Sequence, residues 1–120
     1  MLDHIGLQVS DYAKSKQFYL SALQPLGYGL VKEFGEAGGF GKDGKPDFWI
    51  AQGKPTSPPL HIAFVSADRP TVDAFHRAAL AAGARNNGAP GLRPQYHANY
   101  YGAFVLDPDG NNVEAVCHRP

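Results

Sequence analysis

One segment of this chain occurs twice, and a fold that accepts both copies must give them equivalent surroundings. HIGLQVSDYAKSKQFYLSAL begins at His4, and HIAFVSADRPTVDAFHRAAL begins at His61. Superposing them brings His4 onto His61, Ile5 onto Ile62, Asp11 onto Asp68, Phe18 onto Phe75 and Leu23 onto Leu80. Identities are sparse, but the copies also agree in their pattern of elements.

Each copy opens with apolar residues at every second position, the signature of a strand with one covered face. Ile5, Leu7 and Val9 oppose His4, Gly6 and Gln8, while Leu60, Ile62 and Phe64 oppose His61, Ala63 and Val65. A polar turn then leads into a helix, with Asp11 and Asp68 as N-caps and Pro70 early enough to be tolerated. Ser15, Phe18, Tyr19, Ala22 and Leu23 form one helical stripe. Val72, Phe75, Ala79, Leu80 and Gly83 form the other, and both stripes are expected to cover the apolar strand faces.

Further strands are expected over Tyr28 to Phe34 and Asp47 to Gln52, with another near Gly39, and over Tyr100 to Leu106 and Asn112 to His118. Asp107-Pro-Asp-Gly-Asn111 between the last two is a strong turn signal, with Gly110 suited to positive φ. The chain holds 14 glycines and 10 prolines, many of them in Gly35 to Gly44, Gln52 to Pro59 and Asn86 to Pro94, which read as loops. The glycine-rich Gly35 to Lys42 run reads as a mobile hairpin flanking a cavity, since it does not join a strand to a helix as a phosphate-cradling loop would. Each half therefore reads β-α-β-β-β, an α+β class. Residues 1–120 make a single domain, with module one at 1–52, a linker at 53–59 and module two at 60–120.

Lys plus Arg equals Asp plus Glu at 11 each, so no basic field favours nucleic acid or an anionic membrane. A small organic ligand fits better. The single cysteine, Cys117, excludes an internal disulfide framework and is expected to be buried and unreactive. No stretch approaches the roughly 20 apolar residues of a membrane span, and the N-terminus lacks a signal-peptide pattern, so a cytoplasmic location is expected.

The closing strand alternates as well. Asn112, Glu114, Val116 and His118 share one face, and Val113, Ala115 and Cys117 the other. If the small apolar face packs under a helix, Glu114 points the same way as His4 and His61. Singly, a strand histidine is most often an exposed or hydrogen-bonded side chain. Two imidazoles at equivalent repeat positions, with a carboxylate on the helix-free face, are instead a plausible metal site. Such a set suits one divalent cation (Zn, Fe, Mn, Ni or Co) and leaves positions open for substrate.

HIGLQVSD, the repeated HIAF and the terminal DPDGNNVEAVCH resemble the vicinal-oxygen-chelate superfamily. That superfamily includes glyoxalase I, extradiol dioxygenases, fosfomycin-resistance transferases and bleomycin-resistance proteins. The resemblance runs from Leu2 to His118. It implies paired βαβββ modules forming a curled mixed sheet around a cavity, with metal ligands on the first and last strands of each module. Carried over by position, these ligands are His4, His61 and Glu114. Matching DFWIA to NNVEA sets Trp49 opposite Glu114, where glyoxalase I-like members have a carboxylate, which disfavours that activity. A shift of two would put Asp47 there as a fourth ligand.

A second polar cluster runs from Arg93 to Tyr101 and holds Tyr96, His97 and Tyr100. His97, Tyr100 and Tyr101 are candidate catalytic residues, and Trp49, Arg93, Tyr96 and Gln8 are candidate substrate contacts. Which of the two tyrosines faces the cavity is open. His76 reads as structural or exposed, and His118 as a surface residue.

The expected function is a metal-dependent enzyme of lyase, dioxygenase or transferase type, acting on an oxygen-chelating small molecule. The alternative is a metal-free protein that sequesters a small ligand, as bleomycin-resistance members do, with Trp49 as a stacking surface. The resemblance also implies a homodimer, in which His4 meets His61 and Glu114 of another chain.

Overall fold

A computed structural model describes all 120 residues. Module one contains β1 (Ile5–Val9), α1 (Tyr12–Leu23), β2 (Gly29–Phe34), β3 (Ala37–Lys42) and β4 (Lys45–Gln52). Module two repeats this with β5 (His61–Val65), α2 (Arg69–Ala81), β6 (Arg85–Leu92), β7 (Tyr101–Leu106) and β8 (Asn112–Cys117). Each module is a four-stranded mixed sheet, ordered β1-β4-β3-β2 in the first and β5-β8-β7-β6 in the second. The first strand runs parallel to the last, and the other pairings are antiparallel. The α+β expectation and the duplicated βαβββ unit are both present, but the two sheets do not close around a cavity.

Local chemistry explains the element starts. The Asp11 carboxylate accepts from the Lys14 amide and the Asp68 carboxylate from that of Thr71, so each helix has a side-chain cap. Proline in the first turn of α2 loses no hydrogen bond there. Leu7, Val9, Phe48 and Ile50 pack under α1, and Ala103, Val105, Val113, Ala115 and Cys117 join Val72, Phe75 and Ala79 of α2 in the same core.

Two glycine-rich stretches read as loops are largely strand. The strand expected near Gly39 is present as β3, one arm of the hairpin that turns at Gly35 and Glu36, and it lies inside its sheet, paired with both β2 and β4. The glycines there answer to close approach, since a Cβ on Gly41 would lie 1.9 Å from the Lys45 carbonyl oxygen and one on Gly39 within 2.8 Å of the Trp49 ring. Asn86 to Pro94 likewise contains most of β6, an edge strand that pairs only with β7 and shifts register between Asn86 and Gly88 and between Gly88 and Gly91. Edges and bulges are where glycine and proline are tolerated in sheets.

The modules are stitched together by the Asp107–Asn111 turn. Asp107 is 4% exposed and accepts from Tyr19 of α1 at 2.5 Å, and from the Asn111 amide and side chain. Asp109 accepts from the Ser10 amide at 3.1 Å and from its hydroxyl. Phe48 meets Phe64 edge-on at 5.3 Å across the same seam.

Removing the Tyr19 hydroxyl strips a buried carboxylate of its partner from the other module. Tyr19→Phe should therefore lower unfolding free energy by about 1.5–3 kcal/mol, read from urea denaturation. An unchanged midpoint would show that the Tyr19–Asp107 contact does not hold the modules together.

Candidate functional site

Strand parity sorts the predicted residues between two faces. On β5, Ile62 and Phe64 turn toward the helices, leaving His61 on the opposite, helix-free face. On β8, Val113, Ala115 and Cys117 are in the core, so Glu114 shares the face of His61, as expected. Glu114 is 0% exposed, whereas the side chain of His61 is 53% exposed. His61 Nε2 lies 2.8 Å from Glu114 Oε1, and the Tyr100 hydroxyl donates to Glu114 Oε2. A carboxylate in its ionised form only accepts, so the hydrogen of this contact is then carried by His61 Nε2.

The neighbouring strand provides the space. Gly102, one strand over on β7, has no side chain; a Cβ there would stand 3.1 Å from Glu114 Oε2. Phe104 pairs with Glu114 in register, and its ring centroid lies 6.2 Å from that of His61. Neither residue was among the candidates. A glycine interrupting the Tyr101–Leu106 run, on the face shared with Glu114, was the available signal.

The tyrosine question is resolved by the same parity. Tyr100 meets Glu114; burial first, and then the carboxylate, push its hydroxyl well above the ordinary tyrosine range, so it stays a neutral donor. Tyr101 turns to the helix side, donates to Asp73 at 2.6 Å and packs under Arg69. Its hydroxyl is also raised, chiefly by the Asp73 hydrogen bond.

Around Tyr100 lies an aromatic cluster. Tyr96 is 4.8 Å from it, His97 5.5 Å and His118 5.4 Å, measured between ring centroids. The Asn99 amide donates to His97 Nδ1, which leaves His97 Nε2 to donate to His118 Nδ1 at 2.9 Å. His118, expected as an uninvolved surface residue, is exposed but belongs to this pair. Arg93 lies over Phe104 with its Cζ 5.2 Å from the ring centroid.

Module one contributes differently. His4 is 59% exposed in its side chain, and its Nδ1 is 2.7 Å from Asp3 Oδ1. His4 and His61 both line a cleft of about 320 Å³ at the module junction, together with Tyr28, Asp47 and Phe64. Trp49 lies on the helix-free face, over Gly39 and stacked on Phe34 at 6.3 Å and 14°. Asp47 does not stand beside it as a fourth donor. The register slips between Phe40 and Gly41, where β3 faces Phe48 and then Pro46, and Asp47 accepts from Tyr28 at 2.8 Å. Gln8 is used structurally, its side-chain oxygen accepting from the Lys54 amide at 3.1 Å.

The donor set partly fits a metal. An imidazole nitrogen and a carboxylate oxygen converge, and the second carboxylate oxygen has a hydrogen-bond donor, as ligating carboxylates usually do. The third expected donor is missing from the group, since His4 is held by Asp3; no three His, Cys, Asp or Glu residues of one chain gather closely enough to hold a cation. No helix is long and apolar enough to cross a membrane.

Solved structures share this architecture over nearly the whole chain. A glyoxalase/bleomycin resistance protein from Albidiferax ferrireducens is 28% identical, with 98% of each chain covered and a TM-score of 0.85. A glyoxalase/bleomycin resistance protein/dioxygenase family enzyme from Burkholderia phytofirmans is 20% identical, with 98% of each chain covered and a TM-score of 0.75. Lactoylglutathione lyase from Agrobacterium tumefaciens, at 18% identity, covers 98% of this chain and 92% of its own with a TM-score of 0.68; at such identities the last two show the fold alone. Comparison with curated proteins finds no match. The profile of the glyoxalase/bleomycin resistance protein/dioxygenase superfamily matches residues 1–115, and with the duplicated βαβββ fold it establishes that this chain belongs to that superfamily.

Proposed function

We propose that the chain is a small-molecule enzyme whose site centres on Glu114, His61 and Tyr100 and is completed by a second copy of the chain. In this reading His4 of one copy joins His61 and Glu114 of the other as donors to one divalent cation. The observation that carries it is the Glu114 carboxylate, wholly buried yet shared between an exposed imidazole and a phenol. Burying a charge costs several kcal/mol unless it is paired. A residue serving packing alone at this position needs neither the charge nor the half-exposed partner. His4 supports the same reading: it lines the cleft that His61 lines, and nothing but Asp3 engages its ring.

A bound cation supplies Lewis acidity toward a substrate offering one or two oxygens. The remaining tasks fall to side chains. Tyr100 is a positioning residue: its raised hydroxyl keeps its proton at neutral pH and orients the Glu114 carboxylate. His97 does not touch Glu114, and with His118 it forms the exposed wall of the site beyond Tyr100.

Elemental analysis should find about one cation per chain in the wild type and almost none in His4→Ala or His61→Ala. Because each variant retains what the other lacks, co-expressing the two should restore part of the metal. A metal-free wild type after growth in supplemented medium, or a failure to complement, would reject the shared site.

A second reading rests on Trp49. Its ring lies over Gly39 against Phe34, beside a recess formed with Gly6, Gln8 and Ala51, and so presents a flat aromatic surface. That surface suits a protein that sequesters a planar ligand without transforming it. Trp49 is the only tryptophan, so its emission reports directly on this surface. A planar aromatic ligand should shift the emission on binding and lose affinity in Trp49→Ala; emission indifferent to every bound ligand would exclude the idea.

A further inference from the structure

Arg93 has no acidic partner. None of the ion pairs includes it, although it is half-buried and guanidinium is charged at all accessible pH. Backbone carbonyls fix it in place: Nη1 donates to Gly91 at 2.9 Å and Nη2 to Ala89 at 2.8 Å. Its plane packs against Phe104, whose ring is also the neighbour of His61. The charge is near enough to Tyr100 to oppose, weakly, the rise of that hydroxyl.

Clipping the irregular β6 explains two of these N–H bonds and no more. A neutral amide would satisfy the same carbonyls. Half-burying a cation without a counter-charge is unfavourable, and a guanidinium pinned by two carbonyl acceptors keeps up to three of its five N–H groups for an outside acceptor. A planar fork held in one orientation matches an oxyanion that offers two oxygens.

We propose that Arg93 forms an anion subsite one aromatic ring away from the His61–Glu114 pair, so that the ligand of this face is a small organic oxyanion, a carboxylate or phosphonate. The assignment of a substrate rests on the site reading above; the anion subsite itself rests on Arg93 alone. Its occupant anchors a charged end at Arg93, crosses Phe104 and brings its other end to His61.

Phenylphosphonate carries an oxyanion and an aromatic ring and is the probe of choice, followed by calorimetry or by phosphorus NMR line width. The wild type should bind it, more weakly as salt is raised, and Arg93→Gln should weaken binding about tenfold or more, as for loss of a charge-assisted hydrogen bond. Arg93→Lys, which keeps charge and stem but not the fork, should fall between them, and serves if the glutamine variant does not fold. No binding by the wild type, or equal affinity in wild type and lysine and glutamine variants, overturns the subsite. His61→Ala separates the two proposals: it should lose metal and any contact at the ligand's far end, yet Arg93→Gln in that background should still weaken phosphonate binding further. A wild type that binds phosphonate through Arg93 but never holds metal would refute the shared metal site and leave the anion subsite standing.

Discussion

Asp107 is the constraint on which the arrangement depends. A carboxylate removed from water must be answered by donors, and its donors come from both halves of the molecule: Tyr19 from α1, and the amide and side chain of Asn111 from its own turn. Burial and this carboxylate together raise the Tyr19 hydroxyl far above its ordinary range, so the contact remains a neutral donor on a charged acceptor. With Asp109 holding Ser10 nearby, the turn joining the last two strands of module two is anchored to the start of module one. The resemblance motif in that turn is thus accounted for by assembly. Glu114 follows three residues past the turn's end, on β8.

Glu114 and Asp107 solve the same electrostatic problem with different partners. Asp107 is answered by the buried Tyr19 and Asn111 and by the amide of half-buried Asp109 in its own turn, as a structural carboxylate is. Glu114 is answered on one side by a half-exposed imidazole, and the proposed site rests on this asymmetry. Duplication placed a strand at the corresponding position in module one, but there the face carries Trp49 over a glycine floor. The two modules share a backbone plan and have diverged in the surface they present.

Much of this was legible from the residues. Alternation placed His61 and Glu114 on one face because both strands turn their apolar residues to the core on the other, fully on β8 and with Ile62 only partly covered on β5, which leaves no second register. The helices were equally plain in their aspartate caps and apolar stripes, except that Leu80, expected in the second stripe, is exposed and His76 is buried in its place. Three things escaped. The strand β6 was hidden, and the extent of β3 around Gly39 obscured, because glycine serves two needs, turning and close approach, and composition cannot separate them. Asp47 and Trp49 stay two apart in sequence, but the register slip at Gly41 sends Asp47 to Tyr28, and a slip of that kind leaves no mark in periodicity. Tyr100 and Tyr101 differ by one step; only the register of β7, with Tyr101 opposite Cys117, decides which meets the carboxylate.

The two outer strands carry a further consequence. β6 holds Pro90, which cannot donate, and its ladder slips twice; β2, at the other border, slips between Leu30 and Lys32. Neither of these two edges offers the unbroken row of amides and carbonyls on which a foreign strand could template itself. Filament-like growth by sheet extension is therefore disfavoured along β2 and β6.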